Sequence, residues 1–403
     1  MPALFIYRGF LSLLFQGIRI ASVFSEKARL WATGRDKPIP TLEPNPGKRI
    51  WFHCASLGEY EQARPLIELI NEQHPNADIV LTFFSPSGYE ISKNLPYTYV
   101  GYIPEDTCFI DSGFIQKIKP DLAFFIRYEL WYYTLSELHK NNIPTFLACA
   151  YIRPESIFFK PWGSLHRKML DFFTQIFVQD KTSAETLNKI GRENVQICGD
   201  TRLDRVISLA RTPFSDFELE SFCSGKTLIA GSIWPEDVPA LEAFLTHPDL
   251  KEWKVVCFPH QLNDHAIREW IKTWGVVAAL SGESKDQTRL LIINRMGLLS
   301  RAYRYGEMAY VGGGFGHAVH NVIEPAVYGL GIVCGPAISR SLEIAALSNV
   351  NALITINHTA DLPNAALKLT KREKVGESAK KYVEEHAGAS MKIIDYLHDL
   401  HYL

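Results

Sequence analysis

Residues 307–336 read EMAYVGGGFGHAVHNVIEPAVYGLGIVCGP. Met308 to Val311 is a short apolar run that stops at three successive glycines, Gly312, Gly313 and Gly314, and a helix is expected to begin near His320 and Asn321. A strand, a bare turn and a helix start in that order predict one crossover of an α/β fold. Glycine lets backbone approach a ligand closely, and the N–H groups and dipole at a helix N-terminus attract an anion. Glu324 lies one turn further on, beside Pro325. A carboxylate there would repel an anion, so it is better suited to accept hydrogen bonds from ribose hydroxyls, as acidic residues near dinucleotide sites do. An ordinary strand-to-helix turn with Glu324 exposed accounts for the glycines equally well. His317 and His320 have no partners at metal-ligand spacing and read as loop or capping residues, so no metal site is expected. Gly331 to Pro336 reads as the next strand and turn.

Working outward, the same alternation extends over most of the 403 residues. In the first half, runs at 49–55, 78–84, 97–103, 121–126, 144–150, 175–178 and 195–198 read as strands, with helical patterns between most of them. In the second half, 226–230, 253–258, 289–293, 308–311 and 331–334 do the same. Apolar runs alternating with helices imply parallel strands joined by right-handed crossovers, hence two Rossmann-like domains facing a cleft. The expected divisions are a membrane-associated segment at 1–37, a first domain at 38–205, a linker at 206–225 and a second domain at 226–403, its last helix free to cross back. A hydrophobic content of 47% is ample for two cores. The formal charge of −2 argues against a nucleic-acid partner bound by bulk electrostatics. Seven scattered cysteines, mostly inside apolar runs, read as buried reduced thiols.

Met1 to Phe24 is apolar and aromatic but is interrupted by Arg8, Gln16 and Arg19. It is too broken for a spanning helix, and no small-residue cleavage site follows. The pattern suits a helix lying in a membrane interface, with Arg8 and Arg19 toward anionic headgroups. The alternative is a terminal helix packed on its own domain.

In open parallel sheets ligands bind beyond the carboxyl ends of the strands. Ser56-Leu57-Gly58-Glu59 ends the first run, and a carboxylate at a helix start stays ionised, as a general base must; a plain helix-start glutamate is the simpler alternative. Ser85-Pro86-Ser87-Gly88 reads as a turn and cap, and Glu129 in Arg127-Tyr128-Glu129-Leu130-Trp131 either orients a substrate hydroxyl or pairs with Arg127. In the second half Gly231-Ser232 and Pro259-His260 stand at strand ends, and with Gly312 to Gly314, Asn321 and Glu324 they converge on one nucleotide.

These residues resemble the 3-deoxy-D-manno-octulosonic acid (Kdo) transferases of lipopolysaccharide biosynthesis. The resemblance runs from the apolar N-terminus and Gly34-Arg35 through Ser56-Leu57-Gly58-Glu59, Ser85-Pro86-Ser87-Gly88, Glu129-Leu130-Trp131, Phe177-Val178-Gln179 and Gly199-Asp200-Thr201-Arg202-Leu203-Asp204. It continues through Gly231-Ser232, Pro235-Glu236-Asp237, Pro259-His260, Val311-Gly312-Gly313, His320-Asn321 and Glu324-Pro325. It implies a two-domain GT-B glycosyltransferase that moves Kdo from CMP-Kdo to a lipid A precursor with inversion, needing no metal or cofactor, at the cytoplasmic face of a bacterial inner membrane. Glu59 is then the base. Gly231, Ser232, Pro259, His260, Gly312, Gly313, Gly314, Asn321 and Glu324 hold the donor, and Ser56, Gly58, Arg35, Ser87 and Glu129 the acceptor.

The chain departs from the commoner pattern in three places. Pro259-His260-Gln261 stands for a Pro-Arg-His run, which leaves a phosphate-binding arginine absent or supplied elsewhere, for example by Arg295. Arg127 replaces the first glutamate of a Glu-Thr-Glu-Leu-Trp run, and Gly316-His317-Ala318 replaces a Gly-Gly-His arrangement. Since fold does not fix chemistry, a nucleotide-sugar epimerase, a UDP-sugar transferase and an inert nucleotide-binding scaffold at the membrane are the rival readings.

Overall fold

The computed structural model describes residues 2–107, 111–274, 277–338 and 342–403, so Cys108 lies outside the described residues. The chain divides into two compact units, Met1–Arg205 with Ala387–Leu403, and Val206–His386. The strands of the first are β1 (Arg49–Cys54), β2 (Asp78–Phe83), β3 (Tyr99–Tyr102), β4 (Leu122–Ile126), β5 (Thr145–Ala150), β6 (Gln175–Val178) and β7 (Val195–Ile197). They form one sheet in the order β3-β2-β1-β4-β5-β6-β7, and every pairing is parallel. The second unit contains β8 (Thr227–Ile233), β9 (Lys254–Pro259), β10 (Ala278–Leu280), β11 (Leu290–Ile292), β12 (Met308–Val311), β13 (Gly331–Cys334) and β14 (Leu353–Thr355). Its order is β10-β11-β9-β8-β12-β13-β14, again all parallel. The fold is thus the expected pair of Rossmann-like α/β units. In each sheet the chain first winds one way and then the other, reversing between β1 and β4 and between β8 and β12. Such reversals leave a crevice beyond the carboxyl ends of the two strands concerned.

The apolar runs are continuous because helices cover both faces of each sheet. In β1, Ile50, Phe52 and Cys54 face one core with Leu66, Ile67 and Ile70, while Trp51 faces another with Phe114, Leu135 and Leu138. Arg49 and His53 are the polar exceptions in this strand, and His53 is fully buried. The last helix, Ala389–Asp399, packs Ile393, Ile394 and Leu397 into the first unit's core. Asp204 fastens its start by accepting from the backbone N–H groups of Gly388 and Ser390 at 2.5 and 2.7 Å. The stretch 206–225, read as a linker, carries the end of helix Thr201–Arg211 and a second helix, Phe217–Phe222. Both bury apolar side chains at helical spacing, Leu203 with Val206 and Leu219 with Phe222.

The N-terminal helix α1 (Pro2–Ala21) packs one side on its own unit and leaves other apolar residues exposed. Leu11 and Phe15 pack against Trp31 of α2 (Glu26–Arg35), whereas Phe5, Ile6, Phe10, Leu13 and Ile20 are exposed. Ala3–Ala21 is long and apolar enough to cross a membrane by length and composition alone. Arg19 does not face outward alone: it pairs with Glu105 at 2.8 Å and with Asp36 at 3.4 Å. Tyr7 donates its hydroxyl at 2.7 Å to buried Asp106, which also accepts from the backbone of Tyr133 and from Thr134. Burial pushes the Asp106 carboxyl above its ordinary value, and these donors hold it down. Tyr7→Phe removes one donor to a buried carboxylate, and the expected loss is about 1.5–3 kcal/mol in urea unfolding of the first unit.

Candidate active site

In the first unit Glu59 and Glu129 stand beyond β1 and β4, the two strands that flank the reversal. Glu59 is the third residue of α3 (Leu57–Gln73), whose N-cap is Ser56. The Ser56 hydroxyl donates to the Glu59 carboxylate, so the cap residue positions the glutamate rather than a backbone N–H. Gly58 is exposed and already helical, and a Cβ there would meet only Ser56 Oγ at 3.8 Å. Its bareness leaves the approach to Glu59 uncovered.

Glu129 is positioned from beneath. Its Oε2 accepts from Trp131 Nε1 at 2.9 Å and lies 3.2 Å from His53 Nε2. His53 Nδ1 lies 3.0 Å from Thr82 Oγ1, which also accepts from Trp51 Nε1 at 2.8 Å. With that indole donating, the Thr82 hydroxyl proton is available to His53 Nδ1, leaving the proton on Nε2 to serve Glu129. The alternative pairing of Glu129 with Arg127 is replaced by this buried chain. Arg127 adopts a φ of 64° at the end of β4, and its guanidinium lies over the Tyr128 ring. Burial first, then the charges of Glu59 and Glu129, push the Cys54 thiol well above its ordinary value.

Two acceptor-side expectations change. Arg35 donates to the carbonyls of Ile103, Trp31 and Phe84 and stacks 3.8 Å above the Trp31 ring, so it fastens α2 to the sheet. Burial lowers its pKa to about 9. Ser87 lies in the first turn of α4 (Pro86–Ser92), where its backbone N–H and its hydroxyl both meet the Ser85 side chain. Gly88 is bare because a Cβ would strike Phe83 at 2.2 Å and approach Leu57 N at 3.1 Å.

In the second unit the glycines serve close packing rather than an open cradle. Gly312 N–H donates to Gly231 O and Gly313 N–H to Asp237 Oδ2, and all three glycines are buried. A Cβ on Gly312 would meet Ser232 O at 2.5 Å, and one on Gly314 would meet Gly335 Cα at 2.5 Å. Gly313 has a φ of 89°, a left-handed turn that a Cβ would strain. Gly231 makes room for Tyr303, whose hydroxyl would lie 2.1 Å from a Cβ. Ser232 takes a φ of 55° beside them. The organising group is Asp237, fully buried, which accepts from Gly313 N–H, Trp234 N–H and the Tyr310 hydroxyl. The helix after the glycines spans only Ile323–Val327, and Asn321 caps it through Ile323 N–H while donating to Glu324 at 3.1 Å. The helix begins at Ile323 rather than near His320 and Asn321, and its five residues supply only a weak dipole. Arg295 pairs with Asp216 and Glu218.

What converges at the ends of β8, β9 and β12 is a set of rings that sequence reading left largely unassembled. Trp234 stacks on His260 at 4.1 Å between centroids and on His317 at 3.7 Å, and donates Nε1–H to His320 Nε2 at 3.1 Å. His260 and His320 lie 4.6 Å apart. Burial and then the His317 charge lower the pKa of His260. Burial, then His260 and His317, lower that of His320 to about 4. Among the described residues no group has metal-binding geometry, and six free cysteines are described, five of them buried.

Residues 25–205 match the family described as 3-Deoxy-D-manno-octulosonic-acid transferase (kdotransferase). Over that stretch the chain resembles the Kdo transferases, and the match makes it a glycosyltransferase. It is 26% identical over 343 residues to the 3-deoxy-D-manno-octulosonic acid transferase of Chlamydia trachomatis serovar A, covering 80% of this chain and 78% of that one. The Haemophilus influenzae transferase of the same name is 26% identical over 386 residues, covering 87% of each. Among solved structures, a UDP-N-acetylglucosamine 2-epimerase from Listeria monocytogenes superposes with a TM-score of 0.61 at 14% identity, over 86% of this chain and 95% of the other. That likeness gives the transferase a GT-B-like fold and nothing of its chemistry.

His320 supplies a stability test with a defined sign. Its folded pKa of about 4 lies below the ordinary 6.5, so folding favours the neutral ring. That contribution is complete above about pH 6.5 and is lost as pH falls toward about 4. Thermal melting of the His320→Gln transferase is expected to fall less between about pH 7 and pH 4.5 than melting of the parent.

Proposed function

We propose that this chain transfers Kdo from CMP-Kdo to the acylated disaccharide precursor of lipid A, inverting the anomeric centre. The observation that carries the reading is the pair Glu59 and Glu129 at the strand reversal of a unit that matches the Kdo transferases. Glu59 is the general base: an acceptor hydroxyl loses its proton to this carboxylate as its oxygen attacks the sugar. The Ser56 hydroxyl holds one carboxylate oxygen in place, and the start of α3 favours the ionised form that can take a proton. Glu129, steadied by His53 and Trp131, orients the acceptor hydroxyl. The second unit holds the nucleotide, with Asn321 and Glu324 toward the ribose and the ends of β8, β9 and β12 toward the phosphate. The leaving CMP needs polar groups aimed at its developing charge, and no metal enters the scheme.

The acceptor is a membrane lipid, and α1 suits a place at the cytoplasmic face of the inner membrane. Phe5 is 80% exposed and Leu13 72%, a pattern that fits a helix whose apolar face sinks into the headgroup boundary. Arg19, a basic residue of the helix, is engaged by Glu105.

The deciding assay measures Kdo transfer from CMP-Kdo, generated in place, to purified acceptor. Glu59→Ala is expected to lose activity by a factor of about a hundred or more while still binding CMP; full activity in that variant would move the base to Glu129. For the membrane, Phe5→Asp with Leu13→Asp is expected to reduce co-sedimentation with anionic vesicles at least several-fold, without lowering the melting temperature. Unchanged sedimentation would remove α1 from the interface.

A further inference from the structure

The ring cluster of the second unit has a property that neither its sequence positions nor the fold assigns. Trp234 Nε1–H is a donor only, so the His320 Nε2 that accepts from it at 3.1 Å carries no proton. His320 is thereby fixed as the neutral tautomer with its proton on Nδ1, and protonating Nε2 would break the bond. His260 and His317 have no such lock. Both are exposed, and both stack on the indole that His320 holds. They reach this place from different elements, His260 from the end of β9, through its backbone N–H to Ile233 O, and His317 from the turn after β12, through its backbone N–H to Gly313 O.

We propose that His260 and His317 bind the donor's phosphate as imidazolium groups and take up a proton when the nucleotide arrives. This rests on the reading of the second unit as the donor-binding unit. In the free protein burial first, and then the charges of the neighbouring imidazoles, hold His260 and His320 short of protons. A phosphate beside His260 and His317 reverses that balance by favouring their charged forms. The Trp234 face adds attraction for an imidazolium stacked on it.

Two of the other ionisable groups around the rings are already engaged. Asp237, after β8, is taken up by Trp234 N–H, Tyr310 and Gly313 N–H. Glu324, in the helix Ile323–Val327, is held by Asn321. Glu236 lies beside Gly316, where a Cβ would come within 3.2 Å of its carboxyl carbon, and its negative charge is on the side of a protonated neighbour. The cluster therefore does with two titrating rings what a permanently charged guanidinium would do at every pH.

Calorimetric titration of the whole chain tests this with two probes, CMP and its methyl phosphodiester. The diester is included because a phosphate monoester has its own ionisation near about pH 6. The diester is expected to bind about tenfold more tightly near pH 6 than near pH 8, with net proton uptake visible as a dependence of the heat on buffer ionisation. His260→Gln with His317→Gln is expected to bind at the weak level throughout. His260→Arg is expected to keep tight binding near pH 8 and to lower the uptake. Diester binding that is equal at both pH values without uptake, or a double variant that keeps the parent's slope, overturns the inference and leaves the donor reading standing. Failure of both probes to bind at any pH overturns the donor reading and this inference with it.

Discussion

Two neighbouring parallel strands cannot be joined by a tight turn; the chain must cross over a sheet face and return, and a helix is the usual means. This constraint governs the whole molecule. It buries both faces of each sheet, which is why strands such as Leu122–Ile126 and Met308–Val311 are apolar throughout. It also leaves the carboxyl ends of the strands as the places where polar side chains can gather without costing the core. Glu59, Glu129, Trp234, His260, His317 and Asp237 all occur at such ends, most of them around the two points where the winding reverses.

The two sites are held by different physics. In the first unit a buried polar chain, Trp51 to Thr82 to His53 to Glu129, reaches from the sheet interior to its edge. Each member has a partner, so burial of His53 does not leave an orphaned nitrogen, and the carboxylate at its end is held in position. In the second unit a single buried carboxylate, Asp237, ties together the turn after β8 and the glycine turn after β12. That tie sets where Trp234 stands, and Trp234 collects the three imidazoles. The glycines matter because the loops after β12 and β13 approach each other at backbone distance, with Gly314 against Gly335.

Much of the fold was legible in the residues. The expected strands at 175–178, 308–311 and 331–334 match β6, β12 and β13, because a run of apolar residues bounded by turn formers has few other uses in a chain of this pattern. Ala278–Leu280 and Leu353–Thr355 were not anticipated. They are three-residue edge strands whose identity comes from pairing with Leu290–Ile292 and Gly331–Cys334, not from a run of their own. The end of helix Thr201–Arg211 and helix Phe217–Phe222 were read as linker because their polar faces hid a narrow apolar stripe. Glu59 and Glu129 were visible as carboxylates following strands, whereas His53 was hidden inside an apolar strand. Trp234 sat beside Gly231 and Ser232 without a motif of its own.

By itself, then, the sequence determined the alternation of strands and helices, the two parallel sheets and the positions where chemistry is allowed, since these follow from periodicity and from turn-forming residues. Only the tertiary structure decided what each polar group does there. Arg35 became a staple, Gly312 and Gly313 became packing surfaces with engaged N–H groups, and Glu129 exchanged Arg127 for His53. The reason is that hydrogen-bond partners of a buried or half-buried group come from segments far apart in the chain: Thr82 lies 29 residues from His53, and Glu129 lies 76 residues away. Such pairings leave no local pattern, and they exist only once the sheet has aligned its strand ends.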